Sequence, residues 1–425
     1  MFNLNFKFLQ KLKRNFFPFY KNKELKVIFK TLQKGFSSEK TVARFVGGCV
    51  RKYLSGEDID DIDIATILTI NQIKERFKNT SFRIIDTGVE HGTVTILSGK
   101  NKFEITTLRK DILTDGRHAK VEFTNNWEED AARRDFTINA IYVDIQGRIF
   151  DPQNGISDLQ NGKIKFIGNS EERIQEDYLR ILRYFRFVTQ YNKKESYDQD
   201  VIKVIKLHIN GLNKISNERK FDELTKILKL KKIFFLFSNK ISREIVLNIF
   251  PQLQYYERLK IVNNLDEKIK KEYKDYLILA LLIIDQSNNY EYFCHKYKTS
   301  NSIKNKFKNI STNFENLNSK KFYLKDNIKK LIYKTSKEDV KDLLLFSMAL
   351  NSKVKKIDIM QLIQFIDTYK VPKFPISGED LKKYGYETGE ALGKKLKTLE
   401  TKWIENNFII EKNILEESLN KNNKN

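Results

Sequence analysis

The spacing of hydrophobic positions changes character once along this chain. From Phe45 to Gly168, short apolar runs alternate with turns. "FVGG" predicts a strand running into a turn, and "IDIAT" a second strand with alternating polar and apolar positions. "TVTIL" and "FEITTL", rich in β-branched residues, predict two more. "NAIYVD" and "RIFD" predict a strand pair around Gly147, and helices fit "IKERFKN" and "NWEEDAARRD". After Gly168 glycine nearly disappears and helical periodicity takes over, as in "YLRILRYFRFVTQY" and "VKDLLLFSMAL". The longest apolar run, Tyr276–Ile284, is too short to span a bilayer and predicts a buried helix. A break follows Val371, where "VPKFPISGED" brings in Pro372, Pro375 and Gly378. The fold class is therefore α+β, a small α/β head followed by a mostly α-helical neck, body and tail. The expected limits are 1–40 for a basic N-terminal extension, 41–168 for the head, 169–235 for the neck, 236–370 for the body and 371–425 for the tail.

Composition adds a partner class. With 78 Lys and Arg against 55 Asp and Glu, the 425 residues carry a formal net charge of +23, which points to a polyanion. Lysine and asparagine are abundant throughout, so a general compositional bias could also produce much of that charge without a binding role. Hydrophobic residues at 40% supply enough apolar surface for real cores, which argues against wholesale disorder. Two cysteines, Cys49 and Cys294, are too few for a disulfide framework or a zinc cluster and suit a reducing compartment, the cytoplasm. The four histidines show neither HExxH nor HxxEH spacing, which disfavours histidine-based metal catalysis. The start, "MFNLNFKFLQKLKRNFFPFYKNKELK", lacks a clean apolar core and a cleavage site and reads as a basic amphipathic beginning rather than a leader.

The chemistry concentrates in "RFVGGCVRKYLSGEDIDDIDIAT". Gly47 and Gly48 lie between a strand and a short helix, where backbone N–H groups can approach a phosphate, and Arg51 follows one turn in. A glycine pair alone is most often only a tight turn. Asp61 and Asp63, two apart on a strand, would share one face, and paired carboxylates repel unless a cation sits between them. Mg²⁺ takes oxygen ligands of this kind together with substrate phosphates, and two metals can activate a hydroxyl and stabilise leaving pyrophosphate. An isolated DxD can be a solvated strand end; glycines, arginine and then DxD favour a site. Asp60 breaks the alternation and should point away. Glu104 offers a third carboxylate, with pairing to Arg109 or a lysine equally open.

Arginines form the second half. In "EEDAARRDFTINA", neighbouring Arg133 and Arg134 point differently on a helix, so one can serve the fold and the other a ligand. In "EDYLRILRYFRF", Asp177, Arg180, Arg183 and Arg186 recur every third residue while Ile181, Leu182, Phe185 and Val188 occupy another arc. A charged solvent face would look similar, but arginine forks suit phosphates and base edges better than lysines do.

In order, "VGGCVRKYLSG…DIDIAT", "EITTLRKD", "EEDAARRDFTINAIYVD", "DPQNGISDLQNGKIKFIG" and "EDYLRILRYFRF" resemble class II tRNA nucleotidyltransferases and bacterial poly(A) polymerases over roughly 45–191, with a weaker echo in "ISNERKFDELTKIL". The resemblance implies Asp61 and Asp63 as catalytic Mg²⁺ ligands and Gly48 and Arg51 as triphosphate contacts. It places Arg134 near the nucleotide and makes Asp177 and Arg180 the pair that reads CTP and ATP, with Arg183 and Arg186 on the same helix. The implied reaction is attack by an RNA 3′-hydroxyl on an α-phosphate, releasing pyrophosphate, with no membrane involved. Lys52 stands where the family usually has Asp, which implies altered local pairing. The tail, with Gly378, Gly385, Gly389, Gly393, Trp403 and Phe408, is similar to that of bacterial CCA-adding enzymes, and 111–126, with Gly116, Arg117 and His118, matches the loop used in switching from C to A. Together these favour complete CCA addition to tRNA over poly(A) synthesis, A-only addition or a non-catalytic RNA-binding role.

Overall fold

The computed structural model describes residues 19, 22–113, 120–350 and 356–409. The chain divides into two compact units, Met1–Ile245 and Val246–Asn425. The expected limits at 168 and 235 fall inside the first unit and that at 370 inside the second.

The first unit is built on a seven-stranded sheet of order β3-β4-β5-β2-β1-β8-β9. Its strands are β1 (Ala43–Val46), β2 (Asp63–Thr66), β3 (Arg83–Gly88), β4 (Thr93–Ser98), β5 (Asn101–Thr107), β8 (Tyr142–Val143) and β9 (Ile149–Phe150). A separate hairpin joins β6 (Arg109–Leu113) to β7 (Lys120–Phe123). β2 and β5 pair in parallel and put Asp63 opposite Glu104; β1 runs antiparallel to both β2 and β8. Every strand foreseen from alternation is present. β3 was not foreseen, because its mixed, partly exposed pattern shows no clean period.

The helix α1 (Lys23–Gln33) buries Leu25, Ile28, Phe29 and Leu32, and Phe29 and Phe19 lie against Phe45 of β1 at 4.7 and 4.6 Å between ring centroids. Glu24 accepts hydrogen bonds from Ser98 and Asn101 at the β4–β5 turn. Residues 23–33 thus belong to the core of the head, a departure from the separate extension expected over 1–40; burying four large apolar side chains, worth about 1.5–3 kcal/mol each, explains why. Residues 1–18 of that extension lie outside the described residues.

Helices α2 (Gly48–Ser55), α3 (Ile70–Phe77), α4 (Trp127–Ala132) and α5 (Gly155–Asn161) complete the head. They are followed by α6 (Ser170–Glu176), α7 (Arg180–Tyr191), α8 (Gln199–His208), α9 (Asn217–Leu228), α10 (Ile233–Ser238) and α11 (Lys240–Ile249). α7 is buried on most of its circumference, through Ile181, Leu182, Tyr184, Phe185, Phe187 and Val188, and leaves a strip of Arg180, Arg183, Arg186 and Gln190 only partly covered.

The second unit is helical among its described residues. The apolar run foreseen as a buried helix is one, at Asp275–Ile283, with Leu277 to Ile283 buried throughout. It packs on the helix Lys337–Leu350, itself buried from Leu343 to Ala349. No helix follows Thr368 until Gly378, and then Gly378–Lys383 and Glu390–Glu405 enclose a small core of Ile376, Leu381 and Leu399. Among the described residues no helix is long and apolar enough to cross a membrane.

Candidate active site

The site begins where β1 reverses. Gly47 has φ 71° and ψ −127°, a backbone state that a side chain would strain. A Cβ there would lie 3.8 Å from Asp63 Oδ2 and 3.9 Å from Arg134 Nη1, so the turn is seated directly against both. α2 then starts at Gly48, where an added Cβ would meet nothing within 4 Å. The first N–H groups of the helix have no acceptor of their own, and the backbone beside them is uncrowded, as anion binding requires.

Asp63 opens β2, but Asp61 stands in the irregular segment before it, so the shared face expected from strand alternation is not what brings them together. Proximity nevertheless does. Burial pushes the Asp63 carboxyl up to about 6, the Glu104 charge adds to the rise, Arg134 opposes it, Asp61 raises it further and Arg51 opposes again. Two further acids and two arginines therefore act on Asp63 where β2 meets β5. Glu104 earns its place by register, opposite Asp63. Arg109, its alternative partner, donates to the His91 carbonyl. Asp60, expected to point away, also lies before β2, where alternation does not apply; it is exposed and pairs with Lys52. Among the described residues no three His, Cys, Asp or Glu form a metal-binding group. A cation here would rest on Asp61 and Asp63 and complete its shell with water or phosphate oxygens, which fits the habit of Mg²⁺.

Arg134 is anchored from below. Asp130 is 1% exposed, and it accepts from Arg134 Nη2 at 2.9 Å, Arg133 Nη2 at 2.7 Å and the Tyr142 hydroxyl at 2.7 Å. Burial works against the Asp130 charge, but Arg134 and Arg133 hold the carboxyl well below its ordinary value. Arg134 Nε also donates to the Tyr142 hydroxyl at 2.9 Å, so Nη1 is the nitrogen left beside Gly47 and Asp63. Both adjacent arginines are held by Asp130, and of the two Arg134 is the one whose Nη1 lies beside the Gly47 turn.

Arg51 is only 6% exposed. Its Nε donates to the Tyr191 hydroxyl at 3.1 Å, its Nη1 donates to Asn139 Oδ1, and its plane lies 4.7 Å from the Phe187 ring centroid. Among the described residues no group accepts from Nη2, which remains for a ligand.

The arginine row departs from expectation in one respect. Asp177 is not on the helix; it caps α6 in extended conformation (φ −152°, ψ 103°), and α7 starts at Arg180. The Asp177 carboxylate accepts from the Leu179 amide at 3.2 Å and from Arg219 Nη2 at 2.8 Å, which leaves each oxygen one lone pair. Arg180 Nη1 donates to Glu176 at 2.5 Å and to the Arg173 carbonyl at 2.8 Å. Arg183 pairs with Asp135 at 2.6 Å. Arg186 pairs at 2.5 Å with Glu223, which is 1% exposed, and stacks over Phe187 at 4.1 Å. Burial pulls the Arg186 guanidinium below its ordinary value, against the Glu223 charge. Arg186, expected to contact nucleotide, is thus engaged internally, because its spacing carries it round α7 to α9.

Against known proteins, residues 43–165 match the family model described as the Poly A polymerase head domain, and 267–419 match one described as tRNA nucleotidyltransferase domain 2, putative. Human CCA tRNA nucleotidyltransferase 1, mitochondrial, is 34% identical over 402 residues, covering 91% of this chain and 88% of that protein. The chain belongs to the CCA tRNA nucleotidyltransferase family. The CCA-adding enzyme of Ligilactobacillus salivarius is 31% identical over 408 residues, covering 94% and 96%. Among solved structures, the Bacillus stearothermophilus CCA-adding enzyme in complex with CTP has the same fold, with a TM-score of 0.67 over 92% of this chain and 93% of that one, at 24% identity. Membership makes this chain a transferase of a class that works with divalent metal.

For a CCA tRNA nucleotidyltransferase, sequence reasoning had missed the supporting layer. Asp130 stands three and four residues before the two arginines, a helical spacing that could have revealed it. Arg219 and Glu223 lie in the segment whose echo was noticed but whose partners were not. Asn139 and Tyr142 gave no local signal. Gly116, Arg117 and His118 lie outside the described residues.

Proposed function

We propose that this protein adds C, C and A to the 3′ end of tRNA from CTP and ATP without a template, releasing pyrophosphate at each step. The observation that carries the reading is the corner where Asp63, set against the Gly47 turn and opposite Glu104, has its carboxyl pushed up by burial and by the charges of Glu104 and Asp61, against Arg134 and Arg51. Among the described residues, Arg134 and Arg51 oppose the rise at Asp63 without cancelling it, so the corner suits the arrival of positive charge.

Asp61 and Asp63 would hold Mg²⁺, which when bound favours deprotonation of the RNA 3′-hydroxyl and offsets charge on the leaving pyrophosphate. The open backbone at Gly48 and the Nη2 of Arg51 take the triphosphate, and Arg134 Nη1 adds positive charge beside them. Asp177, with one lone pair left on each oxygen, and Arg180, with Nε and Nη2 unpartnered among the described residues, offer a base edge acceptors and donors side by side. Such a pair reads a base without a template strand. Arg183 and Arg186 position that helix through Asp135 and Glu223. Residues 169–235 act as the selecting neck, and the lysine-rich 236–370 and 371–425 hold tRNA through its phosphates and shape. The two buried free cysteines suit a cytoplasmic enzyme, and fractionation tests that location.

Purified protein is given a tRNA ending at its discriminator base, with each nucleotide labelled in turn. Sequential gain of two C and one A, dependent on Mg²⁺ and lost with chelator, is expected. Long A tracts on any RNA with CTP unused would establish a poly(A) polymerase instead. Tight tRNA binding with no turnover of any ribonucleotide would establish a non-catalytic binder.

A further inference from the structure

Arg51 and α7 belong to separate halves of the proposed nucleotide site, one on the phosphate side and one on the base side. A single buried amide joins them. Asn139, 5% exposed, closes a one-turn 3-10 helix over Thr137–Asn139. Its Oδ1 accepts from Arg51 Nη1 and its Nδ2 donates to Asp135 Oδ1 at 2.8 Å. Asp135 also accepts from the Phe136 amide at 2.9 Å and pairs through Oδ2 with Arg183 at 2.6 Å. The chain of contacts runs Arg51, Asn139, Asp135, Arg183, from α2 to α7.

The polarity of this chain leaves little choice of residue. Arg51 offers only donors and the Asp135 carboxylate only acceptors, so the link must accept on one side and donate on the other. A carboxamide does both within one planar group. An aspartate would meet Asp135 with like charge, and an alanine would leave a buried donor and a buried acceptor facing each other unmet. A second tie runs from Arg51 Nε to Tyr191 at the far end of α7. With Nε and Nη1 both spoken for, the direction of Nη2 is fixed.

We infer that Asn139 is a positioning residue, which holds the Arg51 guanidinium in register with the nucleotide-selecting helix so that Nη2 meets the triphosphate of either substrate. The inference rests on the nucleotidyl-transfer reading above, and it concerns how the two halves are aligned rather than which residues touch the nucleotide. Because the triphosphate is common to CTP and ATP, loss of the link should weaken both substrates alike and leave the order of addition unchanged.

The test uses the full chain with tRNA lacking its terminus. Asn139→Ala is expected to raise the KM for CTP and for ATP by the same factor, about tenfold or more, with kcat within about threefold of the parent. Inorganic tripolyphosphate, measured as a competitor of CTP, should lose affinity by the same factor, while the Kd for tRNA stays unchanged. Asn139→Asp should be worse than Asn139→Ala although nearly isosteric. Combining Asn139→Ala with Arg51→Lys should do no more damage than Arg51→Lys alone, since both break one device. Unchanged KM values, multiplicative effects with Arg51→Lys, unequal effects on CTP and ATP, or two variants that are both unfolded by circular dichroism would each overturn the inference. An inactive parent protein would instead overturn the reading on which it rests.

Discussion

Two regions of the first unit handle charge in opposite ways. At the sheet corner, burial and the neighbouring charges of Glu104 and Asp61 push the Asp63 carboxyl up to about 6, and Arg134 and Arg51 oppose this only in part. Along α7, charge is met almost one for one: Arg180 with Glu176, Arg183 with Asp135, Arg186 with Glu223. The first arrangement is unstable by itself and becomes favourable only when a cation arrives. The second is complete and serves to hold geometry. A site that must bind metal and also choose a base needs both, and the same substitution logic gives opposite results in the two places.

The largest effect is expected at the corner. Asp63→Asn removes a metal ligand and should lower nucleotide incorporation by at least about a thousandfold, read by single-turnover extension of labelled tRNA. The same change relieves like-charge repulsion, so the melting temperature in chelator at neutral pH should not fall. A fall would mean that the Asp63 charge is already satisfied by the protein, and the contrast would fail.

On α7 the expectation reverses. Glu223→Gln leaves the buried Arg186 guanidinium without its counter-charge and should cost about 3–5 kcal/mol of stability, measured by urea unfolding. A loss under about 1 kcal/mol would show that water solvates the guanidinium in place of the lost carboxylate and that the pair is not a structural hold.

Acid sharpens the comparison further. The folded Asp63 carboxyl sits near 6 against an ordinary value of 3.8, so between those limits the metal-free folded state binds a proton that the unfolded chain does not. Its stabilising contribution is complete below the unfolded value and is lost as pH rises through about 6, up to about 3 kcal/mol in all. A divalent cation reverses this, because it binds the ionised form. Mg²⁺ should therefore raise the melting temperature more at pH near 7.5 than at pH near 5; equal shifts at both would detach Asp63 from the metal.

Much of this was legible in the chain and some was not, for physical reasons. Strands with clean alternation, the all-buried helix at Asp275–Ile283 and the glycine turn before α2 follow from local pattern, which depends on one element at a time. Gly47 is legible because only glycine tolerates its backbone. Glu104 was visible as an oddity, an acid amid apolar strand residues, yet its meaning came only with the parallel register to β2. Asp177 looked helical by spacing, but the chain breaks between α6 and α7 and Arg219, far along the sequence, takes up its carboxylate. Asn139 gave no signal because its role lies wholly in two long-range contacts. Periodicity reports which face is buried; it does not report which charge meets which.

The smallest expected effect tests where the corner ends. Lys52 stands where the family resemblance leads one to expect an acid, and its ammonium is paired with Asp60, whose side chain is 68% exposed. An exposed pair contributes little, from about 0 to 1 kcal/mol, so Lys52→Met should leave the melting temperature within a few degrees and incorporation within about threefold. The pair does one thing that matters to the comparison: it occupies Asp60 outside the acid corner, so that the corner keeps its three carboxylates and not four. If Lys52→Met changed the Mg²⁺ concentration needed for half-maximal incorporation by tenfold or more, Asp60 would have joined the corner on release. The boundary between unsatisfied and satisfied charge would then run one residue pair further out than the fold places it.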